Sequence, residues 1–327
     1  MVNTLNKLTE KKNRLDTFLP LLKELQTNLN EWLKIELTYT SNAIEGNTLS
    51  RAETAMVVEK GITVEGKTLQ EHIEAVNHAQ AYDWVLNNIE TPRQEITENT
   101  ILEIHKLILQ KIDDTNAGRI RTVPVRIAGS LVVMPNAMKV PDLIKEFVRW
   151  LQTSKDHPVT IAIDAHLKLV SIHPFIDGNG RTARLLMNLL LMQAGYPPAI
   201  IRKEDRKQYI ACIEKVQLGG SNSDYYALMH EAVDRSLTIY LDALENKTQE
   251  EVLVKKDLLK IGELAKLTKE TVPTIRHWTK EGLLEVVEYT KGGYQLYTQK
   301  EVAVARKIRK LQDTKRLTLE EIKRELQ

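Results

Sequence analysis

The chain has 327 residues, 42% of them hydrophobic and 28% charged, which is typical of a soluble globular protein and predicts two domains. A single cysteine, Cys212, excludes an internal disulfide, and no apolar run is long enough to cross a bilayer. Together with a polar, charged N-terminus that has no signal-peptide pattern, these features predict a cytoplasmic protein with no membrane partner.

The first part of the chain has apolar residues at helical spacing. Residues 4–45 predict one or two helices that end at Gly46, a common residue directly after a helix. Ser41 and Glu45 lie four residues apart and so share one face of the last helix. Further helices are predicted to begin at the capping boxes of Ser50 and Thr68 and to lie at about 98–111, 141–153 and 158–171.

The pattern changes to alternating apolar residues at 123–134. Val123–Ile127 and Leu131–Met134 predict two strands of a β-hairpin around a glycine turn at Ala128–Ser130. The residues alone leave two interpretations open. The hairpin is either a surface decoration or an edge to which an extended partner segment adds as a further strand.

Two histidines, His166 and His173, lie seven residues apart and therefore on one face of a predicted helix. This spacing would suit a metal site. No cysteine, aspartate or third histidine completes the ligand set, so a buried, hydrogen-bonded His166 is the favoured interpretation. His105 is interpreted as an ordinary surface or core histidine.

Residues 173–184 concentrate the side chains that carry chemistry. A glycine-rich turn opens a helix there, so unpaired N–H groups and the positive end of the helix dipole face an anion. Arg181 and Arg184 can reach the same anion, and Asp177 could hold Mg²⁺ beside phosphate oxygens. His173 can accept a proton from an attacking hydroxyl. The combination predicts nucleotidyl or phosphoryl transfer; the alternative is an ordinary turn with solvated arginines.

This stretch resembles, without a departure, the signature of the Fic family, His-Pro-Phe-x-Asp/Glu-Gly-Asn-Gly-Arg-x-x-Arg. Members of that family are mostly transferases that move AMP from ATP onto a protein hydroxyl. The resemblance implies a Mg²⁺-dependent protein adenylyltransferase with ATP as substrate, His173 as base and a hydroxyl-bearing protein as partner. Kinase-like relatives alter the Gly-Asn-Gly part, so phosphoryl transfer ranks lower and phosphocholine transfer lower still.

The resemblance also implies a nucleotide site on the same helices. Tyr209 resembles the tyrosine that lines the adenine pocket, and Gln217 falls where some members have an asparagine. Either could equally be a plain helix residue. The residues implied in binding ATP and its phosphates are Asp177 (also the metal ligand), Gly178, Asn179, Gly180, Arg181, Thr182, Arg184, Tyr209 and Gln217.

Two further segments gain meaning beside this motif. Ser41, Glu45 and Gly46 resemble the family's inhibitory motif, Ser/Thr-x-x-x-Glu-Gly/Asn, which implies an inhibitory helix at about 30–46. Its glutamate would pair with Arg184 and block productive placement of the γ-phosphate. The hairpin resembles the family's flap, which clamps an extended target segment through Val125, Arg126, Ile127, Ala128 and Gly129.

The C-terminal part, residues 248–327, carries 17 basic against 13 acidic side chains, while the rest of the chain carries 29 against 31. Its motifs resemble a MerR-type winged helix–turn–helix, in the order Ile261–Ala265, Thr274–Arg276, Glu281–Leu284 and Gly293–Tyr297. The resemblance implies DNA contacts by Arg276, His277 and Tyr294. His277-Trp278 replaces the usual pair of aromatics and Gln295 replaces an arginine, so DNA binding and protein docking both stay open.

The sequence therefore predicts a mainly α protein with a Fic-type helical core, a β-hairpin flap and a small winged helix–turn–helix domain. The predicted parts are N-terminal helices in 1–110, a catalytic core in 111–245, a linker in 246–257 and the C-terminal domain in 258–327. The predicted function is an adenylyltransferase inhibited by Glu45, with AMP removal as a second direction, in a homodimer. The alternative is a DNA-binding transcriptional regulator whose Fic-like domain senses nucleotide.

Overall fold

The computed structural model describes residues 2–256, 258–289, 295–315 and 317–326 and separates into two compact units, Met1–Asp242 and Ala243–Gln327. Within those described ranges, no helix combines the length and apolarity needed to cross a bilayer. The helices of the first unit are α1 Val2–Asp16, α2 Lys23–Glu45, α3 Arg51–Lys60, α4 Leu69–Asn87, α5 Glu98–Leu109, α6 Val140–Thr153, α7 Pro158–Ile172, α8 Asn179–Gln193 and α9 Arg206–Gln217. Helix α10, Ser223–Lys256, begins in the first unit and ends in the second.

The centre of the first unit is a helical hairpin formed by α7 and α8. Twelve side chains of α8 are buried, polar ones at its start and mostly apolar ones beyond, so other helices surround it on nearly all sides. Helices α2, α4, α5 and α7 pack against it. The loop that joins α7 to α8 carries the residues 173–178, and the surrounding helices therefore fix the position of that loop.

Local sequence patterns explain where several helices begin and end. The predicted capping boxes are confirmed, because Ser50 with Glu53 and Thr68 with Glu71 exchange side-chain and backbone hydrogen bonds. Helix α2 ends at Gly46, whose φ of 109° lies in the left-handed region that glycine adopts without strain. The helix end therefore places Glu45 as the last residue of α2.

The segment 123–134 has the predicted turn, but no strand is assigned to it. The N–H of Ser130 donates to the carbonyl of Ile127 at 3.2 Å around Gly129, whose φ is 78°. The physical reason is that this segment has no neighbouring strand within the described structure, and its ends bond to side chains instead of each other. The expected strand pair is thus corrected to a turn between two segments without regular secondary structure. We call residues 123–134 the flap.

The second unit contains a small sheet and four helices in its described residues. The antiparallel sheet consists of β1 Leu259–Lys260, β2 Glu288–Tyr289 and β3 Gln295–Tyr297. Its order is β1–β3–β2, with Leu259 opposite Tyr297 and Glu288 opposite Leu296. Trp278, 1% exposed, lies in the core of this unit with the apolar faces of the helices. The four helices are α11 Ile261–Thr268, α12 Val272–Lys280, α13 Lys300–Lys315 and α14 Leu319–Leu326.

Candidate active site

His173 directly follows α7 and is the first residue of the loop between α7 and α8. Its backbone is left-handed, with φ 50° and ψ 61°, which turns the chain sharply toward α8. Its Nδ1 lies 3.3 Å from the carbonyl of Val170. A carbonyl can only accept, so Nδ1 carries the proton and Nε2 keeps a lone pair that can take a proton from a substrate. Burial lowers the pKa of His173, which keeps the ring neutral near neutral pH.

The loop between the two helices is closed by the side chain of Asn179. Its Oδ1 accepts from the N–H of Phe175 and its Nδ2 donates to the carbonyl of the same residue, each at 2.9 Å. The side chain is therefore used inside the loop, whereas the resemblance had implied that it touches phosphate. Gly178, with φ 75°, makes the last turn before α8 and leaves the first N–H groups of that helix facing outward.

Arg184 is the point at which α2 and α8 meet. Its side chain is 6% exposed and its Nη2 lies 2.6 Å from Glu45 Oε1. Nε donates to Ser41 Oγ and Nη2 to the Ser41 carbonyl, each at 2.9 Å. A longer contact of 3.4 Å joins Nη1 to the hydroxyl of Tyr209. The structure thus brings together Ser41, Glu45 and Arg184 across 139 and 143 positions of the sequence.

The carboxylate of Glu45 lies against the first turn of α8. A β-carbon added at Gly180 would stand only 2.4 Å from Glu45 Oε1, so only a glycine leaves room for the carboxylate in its present place. The position lies at the positive end of the helix dipole, where negative charge is stabilised. Glu45 therefore occupies a place that also suits a phosphate oxygen.

Arg181 is held between two carboxylates. It is 3% exposed, its Nη2 lies 3.1 Å from Asp177 Oδ2 and its Nη1 lies 3.7 Å from Glu74 Oε1. The Asp177 side chain is 65% exposed and so remains accessible from outside. Thr182 is fully buried and lies behind this surface. The two arginines of the motif therefore have different partners, since Arg181 pairs with Asp177 of the loop and Arg184 pairs with Glu45 of α2.

A cavity of about 360 Å³ opens at this point, a size typical of small-molecule sites. A larger cleft of about 750 Å³ elsewhere in the first unit contains none of the predicted site residues. The predicted residues that line the smaller cavity are Glu45, Arg126, Ile127, Ala128, Gly129, His173, Asp177, Gly178, Asn179, Gly180, Arg184, Tyr209 and Gln217. Those outside its lining are Ser41, Gly46, Val125, Arg181 and Thr182.

Comparison with known proteins gives this arrangement a family. The family model described as "Fic/DOC family" matches residues 95–191. The solved structure of Fic-1 from C. elegans is 30% identical, with a TM-score of 0.67, and the match covers 75% of this chain and 72% of that chain. The chain belongs to the Fic/DOC family.

Other Fic proteins are similar to this chain in sequence or in structure. A Fic domain containing signaling protein from Bacteroides thetaiotaomicron is 26% identical, with a TM-score of 0.66, over 74% of this chain and 98% of that chain. A protein from Aedes aegypti called "Protein adenylyltransferase Fic" is 35% identical over 77% of this chain and 48% of its own length. One of the same name from Drosophila grimshawi is 39% identical over 65% and 44%. The chain thus spans about half the length of the curated relatives it matches.

Residues 259–327 match the family model described as "MerR HTH family regulatory protein". In that unit, Arg276 and His277 are exposed on α12, whose buried face holds Ile275 and Trp278. Both predicted contacts on the helix are therefore accessible. Tyr294 lies outside the described residues.

The Fic core also contains functional neighbours that the sequence did not identify. His105 stacks on Phe175 with ring centroids 3.6 Å apart. Its Nδ1 accepts from the N–H of Gly118, so Nε2 donates to the carbonyl of Asp177 at 3.0 Å. Burial lowers the pKa of His105 to about 4, so it stays neutral. This histidine holds the loop, and only its distance in sequence concealed that role.

His166 is confirmed as a buried, hydrogen-bonded histidine of the Fic core. Its Nδ1 bonds to the Tyr225 hydroxyl at 2.8 Å and its Nε2 to the Tyr209 hydroxyl at 2.6 Å. Burial lowers its pKa to about 3. Since the Tyr225 hydroxyl donates to the carbonyl of Ile163, His166 donates through Nδ1 and accepts from Tyr209 through Nε2. The Tyr209 hydroxyl therefore turns its lone pairs toward Arg184.

Proposed function

We propose that this Fic protein is a protein adenylyltransferase that moves AMP from ATP onto a Ser, Thr or Tyr hydroxyl of a protein. The observation that carries the proposal is one cavity lined together by His173, the N-terminus of α8 and Arg184, with Nδ1 of His173 bonded to the backbone and its Nε2 left available. A base, an anion cradle and a guanidinium are the parts that this transfer needs. The names of the Fic relatives support the same reaction.

In the proposed reaction, the target hydroxyl attacks the α-phosphorus of ATP and its proton passes to His173 Nε2. A new phosphate ester forms, and the bond from the α-phosphorus to the diphosphate oxygen breaks, so diphosphate leaves. The N–H groups of Gly178, Asn179 and Gly180 hold phosphate oxygens at the start of α8. Arg181 and Arg184 offset the charge on the leaving diphosphate.

Asp177 has the donor chemistry that Mg²⁺ uses beside nucleotides. Its carboxylate is 65% exposed and lines the cavity, and Mg²⁺ typically takes one or two carboxylates and fills its shell with phosphate oxygens and water. The residues therefore fit the ion. When bound, Mg²⁺ would neutralise charge on the phosphates. We propose Asp177 as its protein ligand.

We also propose that residues 30–46 form an inhibitory helix. The support is the short contact of Glu45 with Arg184 and the position of its carboxylate beside Gly180, where the γ-phosphate would need to lie. Ser41 holds the same guanidinium, and Gly46 ends the helix directly after Glu45. Glu45 thus competes with ATP for one arginine and one helix terminus.

The flap is the proposed docking site for the target. Its turn residues from Arg126 to Ser130 line the cavity that contains His173. In the described structure, the one backbone pair assigned within the flap is Ser130 to Ile127, and the N–H groups of Leu131 and Val132 donate to side chains. The backbone groups that remain, mainly on the side before the turn, can pair with an extended segment. Tyr209 and Gln217 line the same cavity on the α9 side, where we place the adenine.

A labelling experiment tests the proposed reaction. ATP labelled at the α-phosphate is expected to leave covalent label on protein, and ATP labelled at the γ-phosphate is expected to leave none. The reason is that the proposed leaving group is diphosphate, which contains the γ-phosphorus. Label from the γ-position alone would instead show phosphoryl transfer, and label from neither would favour a domain that only senses nucleotide.

The pH dependence of transfer is expected to reflect a neutral His173. Burial, together with the charge of Arg121, lowers its pKa below the ordinary histidine value of about 6.5. The base is therefore active at and above that value, and transfer is lost only as the pH falls through the lowered pKa. Initial rates measured from pH 5 to 9 would check this, and an acid limb above about 6.5 would contradict it.

DNA binding is the second candidate function, and the match of residues 259–327 to a MerR regulatory family favours it. Exposed Arg276 on α12 is expected to contact phosphate, so Arg276→Ala in the full chain should weaken DNA binding and reduce its salt slope by about one. A matched control is Arg324→Ala, an exposed arginine on α14. Gel-shift titrations at several salt concentrations would check this. Equal binding by Arg276→Ala and the parent would contradict the phosphate contact, and no salt-sensitive DNA shift by the full chain would favour protein docking.

The oligomeric state, the domain boundaries and the dominant direction of the reaction stay predictions. They are the homodimer and the division into parts at 1–110, 111–245, 246–257 and 258–327. They also include the direction that dominates, AMP addition or AMP removal. Sedimentation of the full chain would test the dimer. Loss of AMP from pre-labelled protein would test removal.

A further inference from the structure

Arg121 connects the loop that contains His173 with the first residue of the flap and with the residue directly after the flap. Its side chain is 2% exposed. Its guanidinium donates to three carbonyls, from Nε to His173 at 2.8 Å, from Nη1 to Val123 at 3.0 Å and from Nη2 to Pro135 at 2.7 Å. Its own backbone N–H donates to the carbonyl of Pro174 at 2.9 Å. One planar guanidinium thus bonds to the backbone carbonyls of three separate residues.

The partners of Arg121 are unusual for a buried cation. In the described part of the chain, no carboxylate lies within ion-pair distance of it, and burial lowers its pKa. A buried charge without an ion pair is costly, so its hydrogen bonds must compensate for the lost water. Carbonyls at three fixed positions match the rigid fork of a guanidinium, and the single ammonium of lysine cannot reproduce that pattern.

The bond to His173 acts at a strained point of the backbone. His173 is not glycine, yet it adopts the left-handed conformation, with φ 50°. This conformation turns its carbonyl away from the helix axis of α7, where no helical N–H can reach it. Arg121 Nε supplies the missing donor at 2.8 Å. The orientation of the peptide after His173, and with it the direction of the ring, therefore depends on Arg121.

We propose that Arg121 is a positioning residue that couples the flap to the base, so that a hydroxyl docked on the flap stays in register with His173 Nε2. This inference rests on the proposed adenylyl transfer and on the flap as docking site. In this proposal, Arg121 makes no contact with ATP. Its loss should therefore lower the rate of transfer while ATP still binds.

The test compares Arg121→Lys and Arg121→Met in the full chain that also carries Glu45→Gly. Single-turnover transfer of AMP onto the protein itself is measured over a range of ATP concentrations. We expect the maximal rate to fall at least about tenfold in both variants, with the apparent ATP affinity changed less than about threefold. Only Arg121→Met should move the acid limb of the pH–rate profile to higher pH, because only that variant removes the positive charge that lowers the pKa of His173. Arg119→Met, an exposed neighbour, is the control and should match the parent.

A rate within about twofold of the parent would overturn the proposal, and so would equal losses of rate and ATP affinity. Hydrogen exchange tests the coupling of the flap to the His173 loop independently of whether the protein transfers AMP. Arg121→Met should speed exchange both in residues 122–135 and in residues 172–178, with α8 unchanged. If the parent transfers no AMP, the reaction is wrong, and exchange still decides the coupling. A change in the flap alone, in neither segment, or throughout the unit would overturn it.

Discussion

Replacing Glu45 with glycine is expected to raise AMP transfer onto the protein itself about a hundredfold, which corresponds to about 3 kcal/mol. The physical reason is that Glu45 Oε1 lies 2.6 Å from Arg184 and against Gly180, where we propose that the γ-phosphate binds. Removal of the carboxylate does not release Arg184, because Ser41 still accepts two of its hydrogen bonds. The guanidinium therefore stays in place for ATP. Time courses with α-labelled ATP measure the effect.

Three variants separate release of inhibition from loosening of the helix. Glu45→Gln keeps the size of the side chain but loses its charge, so partial activation is expected. Glu31→Gly places the same flexible residue at an exposed position of α2 and should leave the rate unchanged. Arg184→Ala should lower transfer, because we propose that this arginine also binds the phosphates of ATP. Equal rates for the wild type and Glu45→Gly would contradict the inhibitory role.

Replacing His173 with alanine in the Glu45→Gly protein is expected to lower transfer at least about a hundredfold. ATP affinity should change little, since a base acts in the transition state and contributes little to ground-state binding. Rapid-quench rates and nucleotide titrations measure the two quantities separately.

His173→Asn is the sharper companion variant. Its amide can still donate to the carbonyl of Val170 as Nδ1 does, but it has no basic nitrogen at the position of Nε2. It should be as inactive as alanine if the base matters, and active if only the loop bond matters. Transfer by either variant at the parent rate would show that His173 is not the base.

Much of the fold was predictable because the signals are local. The capping boxes at Ser50 and Thr68 and the glycine after Glu45 depend on residues within one helical turn, and the structure has them as expected. The motif at 173–184 likewise lies in a single turn and helix. Here, local pattern and tertiary structure agree.

The partners of those residues were less predictable, because they come from distant segments. Glu74 contacts Arg181 from α4, His105 stacks on Phe175 from α5, and Arg121 bonds to the His173 carbonyl. In the sequence each is one polar residue on or near a helix, with no periodicity that reports a contact partner. The pairing of Glu45 with Arg184 was anticipated only through resemblance to the Fic family, since spacing alone cannot join them.

Two predicted details differ in the structure, because other groups compete for the same hydrogen bonds. The amide of Asn179 suited a phosphate, but the backbone of Phe175 offers it a donor and an acceptor at once. The alternation in 123–134 suited strands, but the ends of the flap bond to Arg121 and its Ser130 bonds to Glu214. A strand forms when an edge has a strand to pair with, and the described structure provides none beside the flap.

The measurement that tests the central claim most directly is the intact mass of the full chain after incubation with Mg²⁺ and ATP. Three proteins are compared, the wild type, Glu45→Gly, and Glu45→Gly with His173→Ala. We expect the mass of one or more adenylyl groups on Glu45→Gly, little on the wild type and none on the double variant. No adduct on Glu45→Gly, or the same adduct on the double variant, would contradict a His173-dependent adenylyltransferase that Glu45 restrains.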